Sequence, residues 1–176
     1  SIKPLVQKLL NENYDILITT TTVSSANLFK KVFPDNVKHQ YIPYDTPKYT
    51  KRFLNRLNIE LAIFVESEIW PNFIMECKKR NIPLLLINAR FSDKSFQYWG
   101  YAKKSLNYLL GSFKFILPQN TKTHNWFKKL GYENIEFLGN IKHDAEKLEI
   151  NNDKLEALKK SISNKKIILA ASTHHG

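Results

Sequence analysis

Cysteine occurs once among the 176 residues, at position 77. A single thiol closes no internal bridge, so a disulfide-stapled scaffold is excluded. Glycine is nearly as scarce, with five residues. Neither Gly-x-Gly-x-x-Gly nor Gly-x-x-x-x-Gly-Lys occurs, which removes the usual glycine-rich cradles for nucleotide phosphates. Arginine supplies only 4 of the 27 basic residues, which argues against direct reading of bases, where arginine is the preferred partner of guanine. No apolar run approaches the ~20 residues that span a bilayer. The opening SIKPLVQKLLNENYD has neither the apolar stretch nor the cleavage site of a signal peptide.

What is present is a globular composition, 43% hydrophobic and 24% charged, and a length sufficient for one domain with a real core. The net charge is +11, from 27 basic against 16 acidic residues. With 23 Lys and 17 Asn, the excess reads as compositional bias as much as a selected surface. Nucleic acid, anionic lipid and phosphorylated substrates stay open as partner classes. The chain starts on Ser and ends on STHHG within an apparent loop, so a piece of a longer protein is expected.

Short apolar runs alternate with stretches of helical period. Strands are expected at 15–20, 37–42, 61–65, 83–88, 114–117, 135–138 and 166–171. Helices are expected at 2–11, 24–32, 47–57, 72–80, 98–110, 121–130 and 153–161. Near-continuously apolar strands separated by helices imply a parallel sheet covered on both faces, an α/β doubly wound domain.

In such sheets ligands gather beyond the carboxyl ends of the strands, here the loops TTTTVSS, YIPYDTP, ESEIWPN, NARFSD, GNIKHD and ASTHHG. Glu66 and Glu68 follow a buried run, and in an extended segment residues two apart share a face. Two carboxylates in one site suit acid–base work; equally, one of them could cap the helix that Pro71 begins. Asn88 and Arg90 lie past the next strand, where a guanidinium suits a carboxylate or phosphate, or a salt bridge to the neighbouring glutamates. Thr20 and Thr22 stand at a strand-to-helix turn that offers N–H groups to an anion or sugar, or simple capping. Lys142, before His143 and Asp144, could offset developing negative charge, or be one more solvated lysine. Adjacent His174 and His175 lack a third ligand, and no spacing resembles a metal site.

From Lys94 to Tyr132 there is no acidic residue, while seven lysines interleave with Trp99, Tyr101, Tyr108 and other aromatics. Lys103, Lys104 and Trp99 suit an anionic membrane surface. Single-stranded nucleic acid could use the same stacking and charge, and about half these rings are expected in the core. A non-catalytic basic α/β module docking on anionic membrane or nucleic acid is therefore the competing class.

Taken in order and spacing, TTTT, YIPYDTP, ESEIWPN, NARFSDKS, GNIKHD and ASTHHG resemble the Kdo transferases, which move 3-deoxy-manno-octulosonic acid from CMP-Kdo to the lipid A precursor. The resemblance implies a metal-independent, inverting GT-B glycosyltransferase without a cofactor, acting at the cytoplasmic face of the bacterial inner membrane and not on nucleic acid. It implies an acceptor-side Rossmann-like domain at 1–140, a linker at 141–165, and at 166–176 the first strand and loop of the CMP-sugar domain. The first glutamate of the family's Glu-Thr-Glu-Leu-Trp-Pro motif falls on Glu66 and the second on Glu68. The lysine of Gly-Asn-Leu-Lys-Phe-Asp falls on Lys142. Glu66 and Lys142 take the family's transition-state-stabilising positions. Thr20, Thr22, Glu68, Asn88, Arg90, Ser172 and His174 are the expected substrate contacts. The family's proton-accepting glutamate is expected upstream of Ser1 and its CMP-contacting motifs beyond Gly176. Departures are Ser67 for Thr, Ile69 for Leu, Phe91 for Leu and His143 for Phe.

Overall fold

Parallel strands alternate with helices along the chain, as the apolar pattern requires. In the computed structural model, residues 2–95, 97, 102–144, 150–163 and 168 are described. The order is α1 (Lys3–Asn11), β1 (Leu17–Thr20), α2 (Val23–Val32), β2 (Lys38–Tyr41), α3 (Pro47–Leu54), β3 (Ala62–Val65), α4 (Pro71–Lys79) and β4 (Leu84–Ala89). Then follow α5 (Lys103–Leu110), β5 (Phe115–Pro118), α6 (Thr121–Lys129), a 3₁₀ turn (Ile141–Asp144) and α7 (Asn152–Ile162). Strands β1 and β2 pair in parallel, and β3, β4 and β5 form a second parallel ladder with β4 central.

The local signals are legible. Pro47 and Pro71 sit in first turns, where the missing N–H costs nothing. Thr22 and Asn120 accept N–H groups of Ser25 and Thr123 and so start α2 and α6. The principal core lies around β4: Leu84, Leu86 and Ala89 meet Phe73, Ile74 and Cys77 of α4, Leu106 and Leu110 of α5, and Phe127 of α6. Burying each large apolar side chain contributes about 1.5–3 kcal/mol. A smaller cluster of Val6, Phe29 and Val37 serves β1 and β2.

Two expectations need correction. Residues 135–138 do not form a strand; a single parallel bridge joins Ile135 to Ile116, and Phe137 and Leu138 are exposed. Nor is every strand covered on both faces. Only β4 approaches that, whereas β2 is largely exposed because its sequence, Lys-His-Gln-Tyr, has little to bury. The helix expected over 98–110 is described from Lys103 onward. Positions 98–101 lie outside the described residues, as does the 166–171 strand apart from Ile168.

The chain divides into two units, residues 1–145 and 146–176. The first holds both ladders. The second contains α7, begun by Asn151, whose side chain accepts the N–H of Lys154.

Candidate active site at the carboxyl ends of the strands

Glu66 is the first residue past β3, with a left-handed φ of 61°. Its backbone is fixed on both sides: Glu66 N–H donates to the Ile87 carbonyl at 3.0 Å, and Arg90 N–H donates to the Glu66 carbonyl at 3.4 Å. Ser67 Oγ donates to the Arg90 carbonyl at 2.5 Å. The main chain after β4 thus holds the loop after β3.

Lys142 reaches the same place from far along the sequence. Gly139 takes a φ of 99°, a conformation open to glycine. Asn140 Oδ1 then accepts the Lys142 N–H at 3.0 Å, and His143 N–H donates to the Asn140 carbonyl at 2.8 Å. This side-chain-closed turn presents Lys142 Nζ at 2.7 Å from Glu66 Oε1. The side chains are 44% and 34% exposed, so the pair is wet and worth at most about 1 kcal/mol of stability. A carboxylate and an ammonium in contact at the strand ends form a preorganised charge pair able to answer charge that develops on a bound reactant.

The left-handed turn at Glu66 interrupts the two-residue alternation of extended backbone, and Glu68 Oε2 accepts the indole N–H of Trp70 at 2.7 Å. Neither glutamate caps α4. That role belongs to Asp45, whose carboxylate accepts the N–H groups of Asn72 and Phe73. Arg90 engages the glutamate loop through its backbone, and its exposed guanidinium forms no ion pair with Glu66 or Glu68 among the described residues.

Asn88, next to last in β4, is 3% exposed, with φ 51°. Thr20 Oγ1, at the carboxyl end of β1, lies 2.9 Å from Nε2 of His39, the second residue of β2. Thr22 caps α2. Lys103 and Lys104 are exposed on α5, and Tyr108 and Phe115 are exposed, whereas Phe113 and Phe127 are core. Lys122 pairs with Asp93 at 2.8 Å, so one lysine of the acid-free stretch is matched from just outside it. Trp99, Ser172 and His174 lie outside the described residues.

Thiol chemistry is disfavoured, because burial pushes the Cys77 thiol from its ordinary 9.0 up to about 11 and keeps it protonated. Among the described residues, no group of three His, Cys, Asp or Glu side chains could hold a metal ion. No helix among them is long and apolar enough to cross a membrane. Sequence reading missed Asp45, His39 and Asn140. The Asn140 turn has a local signal, an Asn two residues before the lysine it orients. The other two act across the fold and have none.

The family described as 3-deoxy-D-manno-octulosonic-acid transferase (kdotransferase) matches residues 1–145. The chain belongs to this family. Relatives named 3-deoxy-D-manno-octulosonic acid transferase are 41% identical in Rickettsia bellii, over 90% of this chain, and 35% identical in Haemophilus influenzae, over 98%. A Rickettsia typhi protein of the same name is 38% identical over 94%. The chain spans 38%, 42% and 36% of the lengths of these three relatives, in the order named. The match over 1–145 takes in both the Glu66 turn and the Lys142 turn. The α/β architecture with parallel strands is that of the amino-terminal domain of a GT-B glycosyltransferase.

Proposed function

We propose that this chain is the acceptor-side part of an enzyme that transfers Kdo from CMP-Kdo to the lipid A precursor. Family membership supports the reaction class, and the observation that carries the assignment of the site is the Glu66–Lys142 contact at 2.7 Å. Residues 1–140 form the acceptor-side domain, 141–165 a linker, and 166–176 the first strand and loop of a CMP-sugar domain.

The reaction is a direct, inverting displacement that uses no metal. An acceptor hydroxyl, deprotonated by a glutamate outside this chain, attacks the anomeric carbon of Kdo. The bond to CMP breaks as the new glycosidic bond forms, and the electron pair leaves on the phosphate. Lys142 offsets negative charge near the departing phosphate, and Glu66 balances positive charge near the reacting sugar carbon. Thr20, Thr22, Glu68, Asn88, Arg90, Ser172 and His174 contact the substrates. The exposed Arg90 guanidinium suits the donor's carboxylate. Lys103, Lys104 and Trp99 dock the protein on the anionic cytoplasmic face of the inner membrane, where a phosphorylated lipid acceptor resides.

The test is transfer of radiolabelled Kdo from CMP-Kdo to lipid A precursor in detergent. The full protein carrying this chain is expected to turn over, and residues 1–176 alone to give no product above the protein-free blank. Turnover by 1–176 alone overturns the two-part assignment; no turnover by the full protein overturns the reaction.

A further inference from the structure

Asn88 carries a cost that its backbone does not explain. Its side chain is enclosed, and neither Nδ2 nor Oδ1 has a partner within the described chain. Each unpaired buried polar atom costs about 1–3 kcal/mol. The backbone has its own role here. The ladder between β4 and β5 slips by one residue between Leu86 and Ala89. Leu84 and Leu86 join the main core and so does Ala89, an odd three residues on, so the faces of the strand exchange at this bulge. The left-handed φ of 51° at Asn88 makes the exchange. Glycine adopts that conformation more readily and brings no polar group to bury. The bulge therefore accounts for the conformation of Asn88 and leaves its carboxamide without a role.

Position supplies one. Ile87 accepts the Glu66 N–H and Arg90 donates to the Glu66 carbonyl, so Asn88 and Ala89 together stand across the ladder from Glu66. We propose that the Asn88 carboxamide is a binding subsite for two neighbouring sugar hydroxyls, engaged when substrate reaches Glu66 and Lys142; this rests on the reading above that the site acts on a sugar. The chemistry selects the ligand. Nδ2 donates and Oδ1 accepts, and adjacent hydroxyls answer both at once. A phosphate or carboxylate answers only Nδ2 and sets its charge against Oδ1. The amide is covered in the free chain, so the contact forms as the loops after β3 and β4 part. The Arg90-to-Glu66 bond at 3.4 Å is the longest of those that tie them, and it lies at the edge of hydrogen-bonding range.

The test pairs Asn88→Gly in the full protein with single-deoxy substrates, one series on the donor sugar and one on the acceptor sugar. Asn88→Gly keeps the left-handed backbone and is expected to melt at or above the wild-type temperature, while kcat/KM falls roughly ten- to hundredfold. In wild type, the two deoxy substrates that each lack one of a pair of adjacent hydroxyls are both expected to lose turnover; in Asn88→Gly neither is expected to lose anything further. The series in which those two substrates fall tells which sugar is held. Full activity in Asn88→Gly overturns the subsite. So do deoxy losses of equal size in both proteins. Should Asn88→Gly fail to fold, wild-type turnover of every deoxy substrate at the parent rate overturns it as well. Absence of Kdo transfer by wild type is a different result and removes the reaction itself.

Discussion

Asp45 Oδ1 accepts the Phe73 N–H at 3.0 Å while Oδ2 accepts the Asn72 N–H at 3.1 Å. One carboxylate, on the loop after β2, thereby answers two of the three unpaired donors at the start of α4, where Pro71 has none to offer, and sits at the positive end of its dipole. Asn72 returns a hydrogen bond from Nδ2 to the Asp45 carbonyl at 2.7 Å. The loop after β2 and the helix that follows the Glu66 turn are fastened together by this exchange. Asp45→Ala should lower stability by about 1–2 kcal/mol, read as a smaller urea midpoint at unchanged slope. Asp45→Asn, which keeps an accepting oxygen, should lose less. An unmoved midpoint for Asp45→Ala would show the cap to be idle.

Glu66→Gln in the full protein should reduce kcat by ~10²-fold or more, the scale for removing a preorganised group that acts in the transition state. Its urea midpoint should hardly move, because the half-exposed contact with Lys142 contributes at most about 1 kcal/mol. Lys142→Gln should match it in both respects. Normal turnover in either variant removes that residue from the transition state.

The apolar alternation in the sequence announced β1 through β5 and their helices to within a few residues, because each buried run carries its own period. The Glu66 turn and Lys142 were legible through their motifs. Their contact was not, since 76 positions separate them and nothing local in a sequence encodes such a meeting. The backbone at Glu66 was not legible, since the alternation rule assumes extended residues and Glu66 is left-handed. Residues 135–138 misled because an apolar run suffices for a strand only if a neighbour is there to pair along its length, and here Ile135 alone meets one. The Asp45 cap left no trace, its donors lying 27 and 28 residues away.

Alkaline pH should weaken the fold. Burial raises the Cys77 thiol from 9.0 to about 11 and the Tyr132 phenol from 10.0 to about 12. The folded chain therefore holds protons that the unfolded chain releases, and its stability declines as pH rises. The Cys77 contribution is whole below about 9 and is lost between about 9 and 11; that of Tyr132 is lost between about 10 and 12. Urea midpoints measured at pH 8 and 10.5 should differ, and Cys77→Ser should shrink the difference. Equal midpoints at the two pH values would remove both shifts.

Lys103→Glu combined with Lys104→Glu should weaken cosedimentation with anionic vesicles by roughly tenfold or more, since each lysine near such a surface contributes ~1 kcal/mol. Added salt should weaken wild-type binding in the same direction. Turnover on detergent-solubilised acceptor should survive, because α5 is not part of the Glu66–Lys142 contact. Unchanged cosedimentation would return the two lysines to the general lysine excess of the chain.

The 3₁₀ turn that carries Lys142 is tethered by Asn140 and hinged on Gly139, around which nothing lies within 4 Å of where a Cβ would be. Its ammonium is therefore held by a carboxylate and a side-chain-closed turn. Handing that cation from Glu66 to an arriving phosphate exchanges one wet ion pair for another, at a free-energy difference of about 1 kcal/mol or less. The charge can change partners during a turnover without disturbing the sheet beneath it.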